Sequence, residues 1–475
     1  MGGKGKWDGG EMNLYNHQRD GIDFIIRNGG SGALFWEMGL GKTRAAIEIY
    51  THYRLHQPEL RLFVVCPISL IEGAWGEDIR KFSSLTYCNL HKDKFRKADI
   101  YLINFEAFIS SKKDTPEQLA KDSPLMCVID ESSRCKNHSA LTTKRILATR
   151  GLYQYRIVMS GTPAPNTELE YHPQISFVKP ELLPENFYKF RNLYFCLQRG
   201  KQVMSGKIYS RAAAREIFSS GWKYAILPQQ RTRLIEKLST VAHWAKKIDC
   251  LDLPEQIDQI RKVEMTPAQR KAYKDMERDC ITFIQENAVI AQVVLVKILK
   301  LRQISSSLAI IGDKAVEIPG CPKTKELLMV LEEAGNQQAI IWCNFRAEIH
   351  RLASLLGDKA VTLYGETKDK QEPIEAFKSG KAQYLIAHGK SGGYGLTFTN
   401  SSLEIFFSLD YSYETFVQCR SRIHRVGQKE TCTYVYLLCE NSIDEIIYET
   451  LRHKETTENF IYKFIKKYEK IHKTT

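Results

Sequence analysis

The sequence predicts an α/β protein with two parallel-sheet lobes and a helical insertion between them. Short apolar strand patterns alternate with helical patterns at the start of the chain, disappear between about 181 and 320, and then return. Parallel sheets that are covered by helices on both faces produce such short, continuous apolar strands. We therefore divide the chain into residues 1–180, 181–320, 321–455 and a basic tail at 456–475.

The strand patterns of both lobes can be located individually. In the first lobe they are LRLFVVCP (60–67), ADIYLINF (98–105), MCVIDE (126–131) and YRIVMSGTP (155–163). In the second lobe they are AIIWCNF (339–345), KAVTLYG (359–365), AQYLIAH (382–388), LEIFFSLD (403–410) and TYVYLLC (433–439). Between the lobes, the segment 266–304 has the pattern of long helices.

A glycine loop follows an apolar run in the string LFWEMGLGKT, and the helical pattern RAAIEIY follows the loop. Gly39 and Gly41 allow the backbone to turn its N–H groups towards phosphate oxygens. Lys42 would reach the β and γ phosphates of a nucleotide, and Thr43 would ligate Mg²⁺. The loop therefore predicts a site for ATP and Mg²⁺.

Two adjacent acids, Asp130 and Glu131, end the apolar run in LMCVIDESSRCKN. Alone, such acids often mark only the polar end of a strand. Together with the glycine loop they predict a hydrolytic site, in which Asp130 organises hydrated Mg²⁺ and Glu131 orients or deprotonates the attacking water.

The string QCRSRIHRVGQ (418–428) places Arg422 and Arg425 three residues apart, which predicts one face of a helix. Planar guanidinium groups stabilise the charge on a γ-phosphoryl group during transfer. An arginine-rich helix is otherwise often a solvated surface, so both interpretations remain open. The upstream string SGGYGLT (391–397) is a second glycine loop that could contact nucleotide and a bound strand.

Composition limits the class of protein. The chain has 68 Lys and Arg against 55 Asp and Glu, and 68 minus 55 gives the net charge of +13. This excess favours a polyanionic partner, although general solubility explains a modest excess equally well.

Twelve Cys without a C-x-x-C pair indicate reduced thiols rather than structural zinc. With no apolar stretch of about 20 residues and no secretory signal pattern, we expect a soluble intracellular protein of the cytoplasm, nucleoid or nucleus.

The ordered strings together resemble Swi/Snf-type ATPases, which are helicase-superfamily motors with two RecA-like lobes that translocate on double-stranded DNA. The resemblance covers nearly the whole chain, and HRVGQ is its most family-specific string. HQRDGIDFI is similar to the Q motif, EMGLGKT to motif I, CPISLIEGAWGEDIRKF to motif Ia, IDESSRCKN to motif II, MSGTPAPN to motif III, IIWCNF to motif IV, SGGYGLTFT to motif V, and QCRSRIHRVGQ to motif VI. LRQISSS (301–307) resembles a helical stretch that precedes the second lobe in this family.

The resemblance implies further contacts and an activity. It implies that Gln18 reads adenine, that Arg44, Gly395 and Gln418 join the nucleotide site, and that Ser391 and Thr397 contact nucleic acid. The implied activity is an ATP-hydrolysing motor on double-stranded or branched DNA, which remodels protein–DNA complexes or branches, or anneals strands. Its spacing is most similar to the annealing-helicase branch.

Three features depart from the family pattern, and a fourth departs from the general phosphate-loop pattern. The family box Asp-Glu-Ala-His ends here in Ser133 instead of His, and Trp36 stands where the usual phosphate-loop pattern has its first glycine. The family's Asp-Trp-Asn-Pro stretch reads Asp-Tyr-Ser-Tyr at 410–413, and Thr397 replaces the usual Asn of motif V. Because Asp130 and Glu131 are retained, we expect hydrolysis to survive; the changes concern its coupling to movement and DNA contact.

The insertion is the predicted DNA-contacting segment. Residues 185–250 contain thirteen Lys or Arg against four Asp or Glu, interleaved with aromatic residues. We expect four of these basic residues to contact phosphates, and aromatics either to stack on unpaired bases or to pack in a core beneath a solvated basic surface. The four are Lys201, Lys207, Arg211 and Arg215.

Two other classes remain open at this stage: an RNA or DNA unwinding helicase, and a nucleic-acid clamp that binds ATP without turnover. HRVGQ and the long insertion favour the duplex-DNA motor. Targeting would then depend on a partner protein, and we expect a monomer.

Overall fold

The computed structural model describes residues 14–110, 116–199, 202–204, 222–286, 291–311, 314–392 and 396–453. The chain forms two compact units, Met1–Asp252 and Leu253–Thr475. Each unit contains one large parallel sheet with helices packed on both faces, which confirms the predicted α/β class with two parallel-sheet lobes.

The first unit is built on a seven-stranded parallel sheet of order β10-β1-β6-β5-β2-β4-β3, and β8, β7 and β9 form a separate antiparallel sheet. The strands are β1 Gly32–Trp36, β2 Arg61–Cys66, β3 Tyr87–Asn89, β4 Ile100–Asn104, β5 Leu125–Asp130, β6 Tyr153–Met159, β7 Phe195–Arg199, β8 Gln202–Met204, β9 Lys223–Ile226 and β10 Ala242–Ala245.

In the described part of the first unit, one helix precedes β1, and the others follow strands. The helices are Asn16–Arg27, Lys42–His56, Ile68–Leu70, Glu77–Phe82, Phe105–Ser110, Pro116–Asp122, Leu141–Thr149, Tyr171–Val178, Phe187–Tyr194, Pro228–Ser239 and Lys247–Cys250. A π-helical turn spans Ile71–Gly76, and 3₁₀ turns span Ser132–Cys135, Arg150–Leu152 and Glu168–Glu170.

The second unit is built on a six-stranded parallel sheet of order β11-β18-β17-β14-β16-β15, with β12 and β13 as an antiparallel hairpin. Its strands are β11 Gln256–Val263, β12 Leu308–Ile311, β13 Lys314–Glu317, β14 Ala339–Cys343, β15 Ala360–Leu363, β16 Tyr384–His388, β17 Leu403–Phe406 and β18 Cys432–Cys439. Its helices are Pro267–Glu286, Ala291–Ser305, Pro322–Ala334, Arg346–Leu356, Gln371–Lys378, Gly389–Gly392, Tyr413–Arg420 and Ile443–Arg452, with a 3₁₀ turn at Gly357–Lys359.

The inner strands of both sheets are buried on their two faces, which explains the continuous apolar strands in the sequence. In β2, Phe63 and Val65 belong to one core cluster, whereas Leu62 and Val64 belong to the cluster on the other face. In β14, Ile340 and Trp342 likewise belong to one core cluster, whereas Ile341 and Cys343 belong to another. A strand with a core on each face has no polar face to display, so its sequence is uniformly apolar.

All nine predicted strands are confirmed, but the prediction that the strand pattern is absent from 181–320 is wrong. Seven strands lie there, and two of them extend the large sheets: β10 pairs with β1, and β11 pairs with β18. Both are edge strands, and β11 is exposed along most of its length, so neither requires a continuous apolar run.

The long helices predicted for 266–304 are confirmed as Pro267–Glu286 and Ala291–Ser305. Within the described ranges, none of the helices combines the length and apolar character that crossing a bilayer requires.

A buried ion pair joins several elements of the second unit. Lys323 Nζ lies 2.6 Å from Asp444 Oδ2, and both side chains are almost fully buried. Asp444 also accepts hydrogen bonds from Ser305 Oγ at 2.9 Å and from the Cys439 N–H at 3.1 Å. Burial alone would lower the pKa of Lys323, but the Asp444 carboxylate raises it above its usual value. This stabilisation is therefore complete below the unfolded-state pKa of Lys323 and is lost only as the pH rises through the higher folded-state pKa.

We predict that Asp444→Ala lowers the opening free energy of the second unit by about 3–5 kcal/mol at pH 7, because it leaves an uncompensated buried ammonium. Amide hydrogen exchange in β18 measures this change, because β18 lies in the second unit and its exchange reports on the opening of that unit. Glu445→Ala is the matched control, since Glu445 forms an exposed ion pair with Lys262. Equal protection of β18 in the two variants would contradict the assigned role of the buried pair.

Candidate nucleotide-binding site

The glycine loop lies between β1 and the helix Lys42–His56, as the sequence predicts. Gly39 has φ 86° and Gly41 has φ 76°, and residues with side chains rarely adopt these values. A Cβ atom added at Gly41 would lie 2.1 Å from Gln18 Nε2. Since the first N–H groups of a helix have no intrahelical acceptor, the start of the helix at Lys42 suits a bound anion.

Lys42 and Thr43 occupy the first turn of this helix. Lys42 is 9% exposed, and its Nζ donates to the carbonyl oxygens of Trp36 at 2.8 Å and Glu37 at 3.3 Å. The ammonium is thus folded over the loop itself, whereas the Thr43 side chain is half-buried beside it. Arg44 is held differently: it donates to the Phe82 carbonyl at 3.2 Å and forms an ion pair with Glu48.

The Q-motif side chains hold the loop from its other side. His17 Nε2 lies 2.9 Å from the Leu40 carbonyl oxygen, and Gln18 Nε2 donates to the same oxygen at 3.3 Å and to the Gly41 oxygen at 3.5 Å. Gln18 Oε1 accepts from the Tyr15 N–H at 3.0 Å. In this structure Gln18 therefore positions the phosphate loop, and its predicted contact with adenine remains a prediction.

Trp36, the departure from the usual phosphate-loop pattern, is fully buried beneath the loop. Its Nε1 donates to His243 Nδ1 at 2.9 Å, and its ring meets the His17 ring edge-on at 5.4 Å. A Cβ atom at Gly21 would lie only 2.1 Å from Trp36 Cζ2, so this helix position requires glycine. A larger residue is tolerated at position 36 because the neighbouring helix provides space for its ring.

Asp130 is brought to the same site from the end of β5. Trp75 Nε1 donates to Asp130 Oδ2 at 2.9 Å, and the Glu131 N–H donates to Oδ1 at 3.0 Å. Burial raises the pKa of Asp130, while the positive charge of Lys42 and these two hydrogen bonds oppose that rise. The structure thus places the carboxylate within electrostatic reach of the loop lysine, as the order of the motifs predicts.

Glu131 has a strained backbone. It is half-buried and adopts φ 53° and ψ 54°, the left-handed conformation that costs a residue with a side chain about 1–3 kcal/mol. Such outliers are concentrated at functional sites. The turn sends the chain abruptly from β5 into the 3₁₀ turn Ser132–Cys135, where Ser132 and Ser133 are completely buried.

Two side chains near Asp130 were not selected as site residues from the sequence. Trp75 belongs to the string that is similar to motif Ia, so its motif was found in the sequence, but no pattern in the sequence indicates its contact with Asp130. Asp78 follows it, and burial together with the charges of Glu77 and Asp130 raises the pKa of Asp78 to about 6, against the opposing effects of Lys81 and Arg44.

In the second unit, the prediction that Arg422 and Arg425 share a helix face is wrong. The helix ends at Arg420, and both arginines lie in the turns that follow. Arg422 Nε donates to the Gln418 carbonyl and Arg425 Nε to the Ser421 carbonyl, each at 2.7 Å. In a continuing helix those carbonyls would accept backbone N–H groups four residues later, so the side chains replace the helical hydrogen bonds.

Both arginines are nevertheless directed at motif V. Arg422 is 2% exposed and donates from Nη1 to the Leu396 carbonyl at 2.7 Å. Arg425 is half-buried and donates from Nη1 to Thr397 Oγ1 at 2.8 Å. Gly395 lies outside the described residues, and Ser391 is described only through its place in the helix Gly389–Gly392. Thr397 thus has a defined contact, while its role towards nucleic acid remains a prediction.

The remaining side chains of motif VI hold the second unit together. His424 Nε2 lies 3.0 Å from the Pro254 carbonyl oxygen, and Gln428 Nε2 donates to the Ser401 and Ile423 carbonyls at 2.8 and 3.3 Å. Gln418 is fully buried, and its Oε1 has no hydrogen-bond partner within the described parts of the chain. Its predicted contact with nucleotide remains a prediction.

Arg302, in the stretch LRQISSS, fixes the first residue of the Asp-Tyr-Ser-Tyr string. It donates from Nε and Nη2 to the Leu409 carbonyl at 3.1 and 2.7 Å, and its Nη1 lies 3.4 Å from Asp410 Oδ1. Its guanidinium is 5.5 Å from the ring centres of Phe345 and Tyr411. The guanidinium thus lies near the ring of Tyr411, but nothing in the structure explains why Tyr stands where the family has Trp.

The predicted DNA-contacting residues Lys201, Lys207, Arg211 and Arg215 lie outside the described residues. The described aromatics of the insertion are divided between core and surface. Tyr194 is 3% exposed, whereas Tyr188 is 54% exposed and its ring lies 5.1 Å from the Arg191 guanidinium, which also lies 4.6 Å from the ring of Tyr224. Packing in a core therefore accounts for only part of the aromatic pattern.

Comparison with known proteins identifies the class. The SNF2-related domain matches residues 17–310, and the helicase conserved C-terminal domain matches residues 322–427. The first match covers more than half of the chain, so the protein belongs to the SNF2-related family.

Similar individual proteins are longer than this chain. The Xenopus tropicalis protein named SWI/SNF-related matrix-associated actin-dependent regulator of chromatin subfamily A-like protein 1 is 25% identical over 454 residues, which are 93% of this chain and 44% of that protein. The DNA repair and recombination protein RAD54-like of Drosophila ananassae is 23% identical over 511 residues, 94% of this chain and 62% of that protein. The chain thus spans less than two thirds of the length of these relatives. Among solved structures, the Sulfolobus solfataricus SWI2/SNF2 ATPase core in complex with dsDNA matches 93% of this chain and 91% of that chain, with 22% identity and a TM-score of 0.42.

We predict that Gly41→Ala lowers the affinity for a fluorescent ATP analogue in the presence of Mg²⁺ by at least ~10-fold. The added Cβ meets Gln18 and the left-handed backbone is strained by about 1–2 kcal/mol, where 1.4 kcal/mol corresponds to tenfold in affinity. Gly151→Ala is the matched control in the same unit, because a Cβ added there has no neighbour within 4 Å. Equal affinities in a fluorescence titration of the two variants would show that this loop does not bind nucleotide.

Proposed function

We propose that the chain is an ATP-hydrolysing motor that moves along double-stranded DNA. The observation that carries this proposal is the meeting of the phosphate loop, Lys42 and Asp130 at the carboxyl edge of one sheet, in a chain of the SNF2-related family. Ligands of open parallel sheets bind outside the carboxyl ends of the strands, which is where the loop and the acids lie.

The residues present fit a nucleoside triphosphate and Mg²⁺. Gly39 and Gly41 have no Cβ atoms and adopt the positive φ that a tight phosphate loop requires, and the side chains beside them combine an ammonium, a hydroxyl and carboxylates. When bound, Mg²⁺ neutralises charge on the β and γ phosphates and is held by a hydroxyl and a carboxylate, the roles we assign to Thr43 and Asp130.

Each protein group then has a separate task in hydrolysis. Lys42 would exchange its carbonyl contacts for phosphate oxygens, because an ammonium forms stronger hydrogen bonds with charged acceptors. Glu131 would orient the attacking water and accept its proton. We assign Arg422 and Arg425 to the charge that develops on the transferred group, for which planar guanidinium groups are suited.

Two observations support duplex DNA as the track. The net charge of +13 favours a polyanion, and the names of two relatives refer to chromatin and to DNA repair and recombination. We therefore propose phosphate contacts by Lys201, Lys207, Arg211 and Arg215 and contacts by Ser391 and Thr397. A motor that steps along any sequence has no use for base readout, so contacts should be to the backbone. We further propose that movement remodels protein–DNA complexes or branches, or anneals strands, with a partner protein for targeting.

The experiment is steady-state ATP hydrolysis with duplex DNA, single-stranded DNA and double-stranded RNA, together with displacement of a triplex-forming strand. We expect duplex DNA to stimulate hydrolysis most and ATP to drive displacement, and we expect Lys42→Ala to abolish both. Stronger stimulation by RNA would favour an RNA helicase. ATP binding without phosphate release would favour a nucleic-acid clamp.

A further inference from the structure

Gln174 is a buried amide that bridges motif II and motif III in the first unit. The side chain is 1% exposed and lies in the helix Tyr171–Val178. Ser132 Oγ donates to Gln174 Oε1 at 2.6 Å, and Gln174 Nε2 donates to the Pro163 carbonyl at 2.6 Å and to the Glu170 carbonyl at 2.8 Å. Every contact of the bridge is buried and short.

An amide suits this position because it carries an acceptor and two donors at one end. The orientation of the Gln174 amide is fixed by its partners: the carbonyls of Pro163 and Glu170 can only accept, so Nε2 must face them and Oε1 must face Ser132. Met or Leu would fill the same volume but would form none of these bonds. Glu could accept a hydrogen bond from Ser132, but its other carboxylate oxygen would face the carbonyl oxygens of Pro163 and Glu170 and repel them.

Each end of the Gln174 bridge lies in a segment that contacts or forms part of the candidate site: Ser132 at one end and Pro163 at the other. Ser132 directly follows the strained Glu131, so the turn that places the acids also places its hydroxyl. At the other end, the segment 160–166 packs against the phosphate loop, since a Cβ at Gly161 would lie 3.0 Å from Met38 Cγ. The Ser160 N–H also donates to the Leu34 carbonyl of β1 at 3.3 Å.

A second link strengthens the same region. Glu170 accepts from Asn166 Nδ2 at 2.7 Å and from the Asn166 N–H at 3.1 Å, and its Oε1 lies 4.0 Å from Lys136 Nζ. Glu170 therefore supports the shape of the 160–166 segment, and its contact with motif II is a long ion pair with Lys136. Gln174 provides a direct hydrogen-bonded connection between the two motifs.

We infer that Gln174 is the positioning residue that transmits the state of the nucleotide site from Ser132 to motif III, in place of the family's His at position 133. Ser133 is buried and its short side chain lacks the reach of imidazole, while the neighbouring Ser132 supplies a hydroxyl where the family has Ala. The bridge would keep ATP hydrolysis coupled to movement on DNA. This inference rests on the proposed function.

The first test is the number of triplex-displacement events per ATP hydrolysed at saturating duplex DNA. Gln174→Met keeps the volume and removes all three hydrogen bonds, so we expect this ratio to fall by about 5- to 150-fold, the usual range of coupling between sites. Ser132→Ala restores the family's own residue and removes one end of the bridge. If the two residues act as one unit, the double variant should lose no more than Gln174→Met alone.

Gln269→Met is the matched control, because Gln269 is also fully buried and donates to two carbonyls, those of Ile304 and Ser305 at 2.7 and 3.1 Å. It lies in the second unit and touches neither motif. We expect Gln269→Met to lower stability while leaving displacement per ATP at the wild-type value. A purely structural role for Gln174 predicts the same result for both variants.

The second test does not depend on movement. Amide hydrogen exchange of residues 160–170 is compared with and without the non-hydrolysable analogue AMPPNP and Mg²⁺, and we expect slowing in the wild type and Gln269→Met but not in Gln174→Met or Ser132→Ala. Wild-type slowing and wild-type displacement per ATP in Gln174→Met would overturn the inference and leave the proposed function intact. A wild-type protein that neither binds AMPPNP nor hydrolyses ATP would overturn the proposed function itself.

Discussion

The buried carboxylate of Asp130 is the constraint on which the first unit depends. An ionised acid at the end of a buried strand is costly unless it is paired and hydrogen-bonded. Here the Lys42 charge, the Trp75 indole and the Glu131 N–H oppose that cost from three different segments of the chain, although burial still raises the pKa of Asp130. The groups that oppose the cost of burying Asp130 thus include Lys42, the residue that we assign to the phosphates.

In the second unit, Arg422 and Arg425 form internal hydrogen bonds in addition to the role in hydrolysis that we propose for them. Arg422 donates a side-chain hydrogen bond to the Gln418 carbonyl in the last turn of a helix, and Arg425 donates one to the Ser421 carbonyl just after that helix. Both arginines also contact motif V. Two guanidinium groups are thereby oriented without a continuous helix. Because their N–H groups are planar and fixed by packing, little conformational freedom remains to be lost when an anion binds. The family-specific string is therefore explained largely by the internal hydrogen bonds of this unit.

How far the sequence predicts the structure depends on whether a feature is local. The apolar runs, the glycine loop and the acids of Asp130 and Glu131 are local patterns, and the structure places them as expected. The edge strands β10 and β11 were missed because an edge strand requires no apolar run. Arg422 and Arg425 were assigned to a helix because spacing cannot show that side chains replace backbone hydrogen bonds. Gln174 was missed because its partners include carbonyl oxygens, which every residue carries and no pattern reveals.

The central claim is that Asp130, Glu131 and Lys42 form one hydrolytic nucleotide site. Glu131→Gln tests it most directly, since the amide keeps the size of the side chain and removes only the base. Nucleotide titration combined with single-turnover hydrolysis in the presence of duplex DNA should show near wild-type ATP affinity and a loss of hydrolysis of about 10²- to 10⁴-fold, the usual contribution of a general base. Hydrolysis at the wild-type rate would contradict the account, and loss of nucleotide binding would show that Glu131 has a structural role instead.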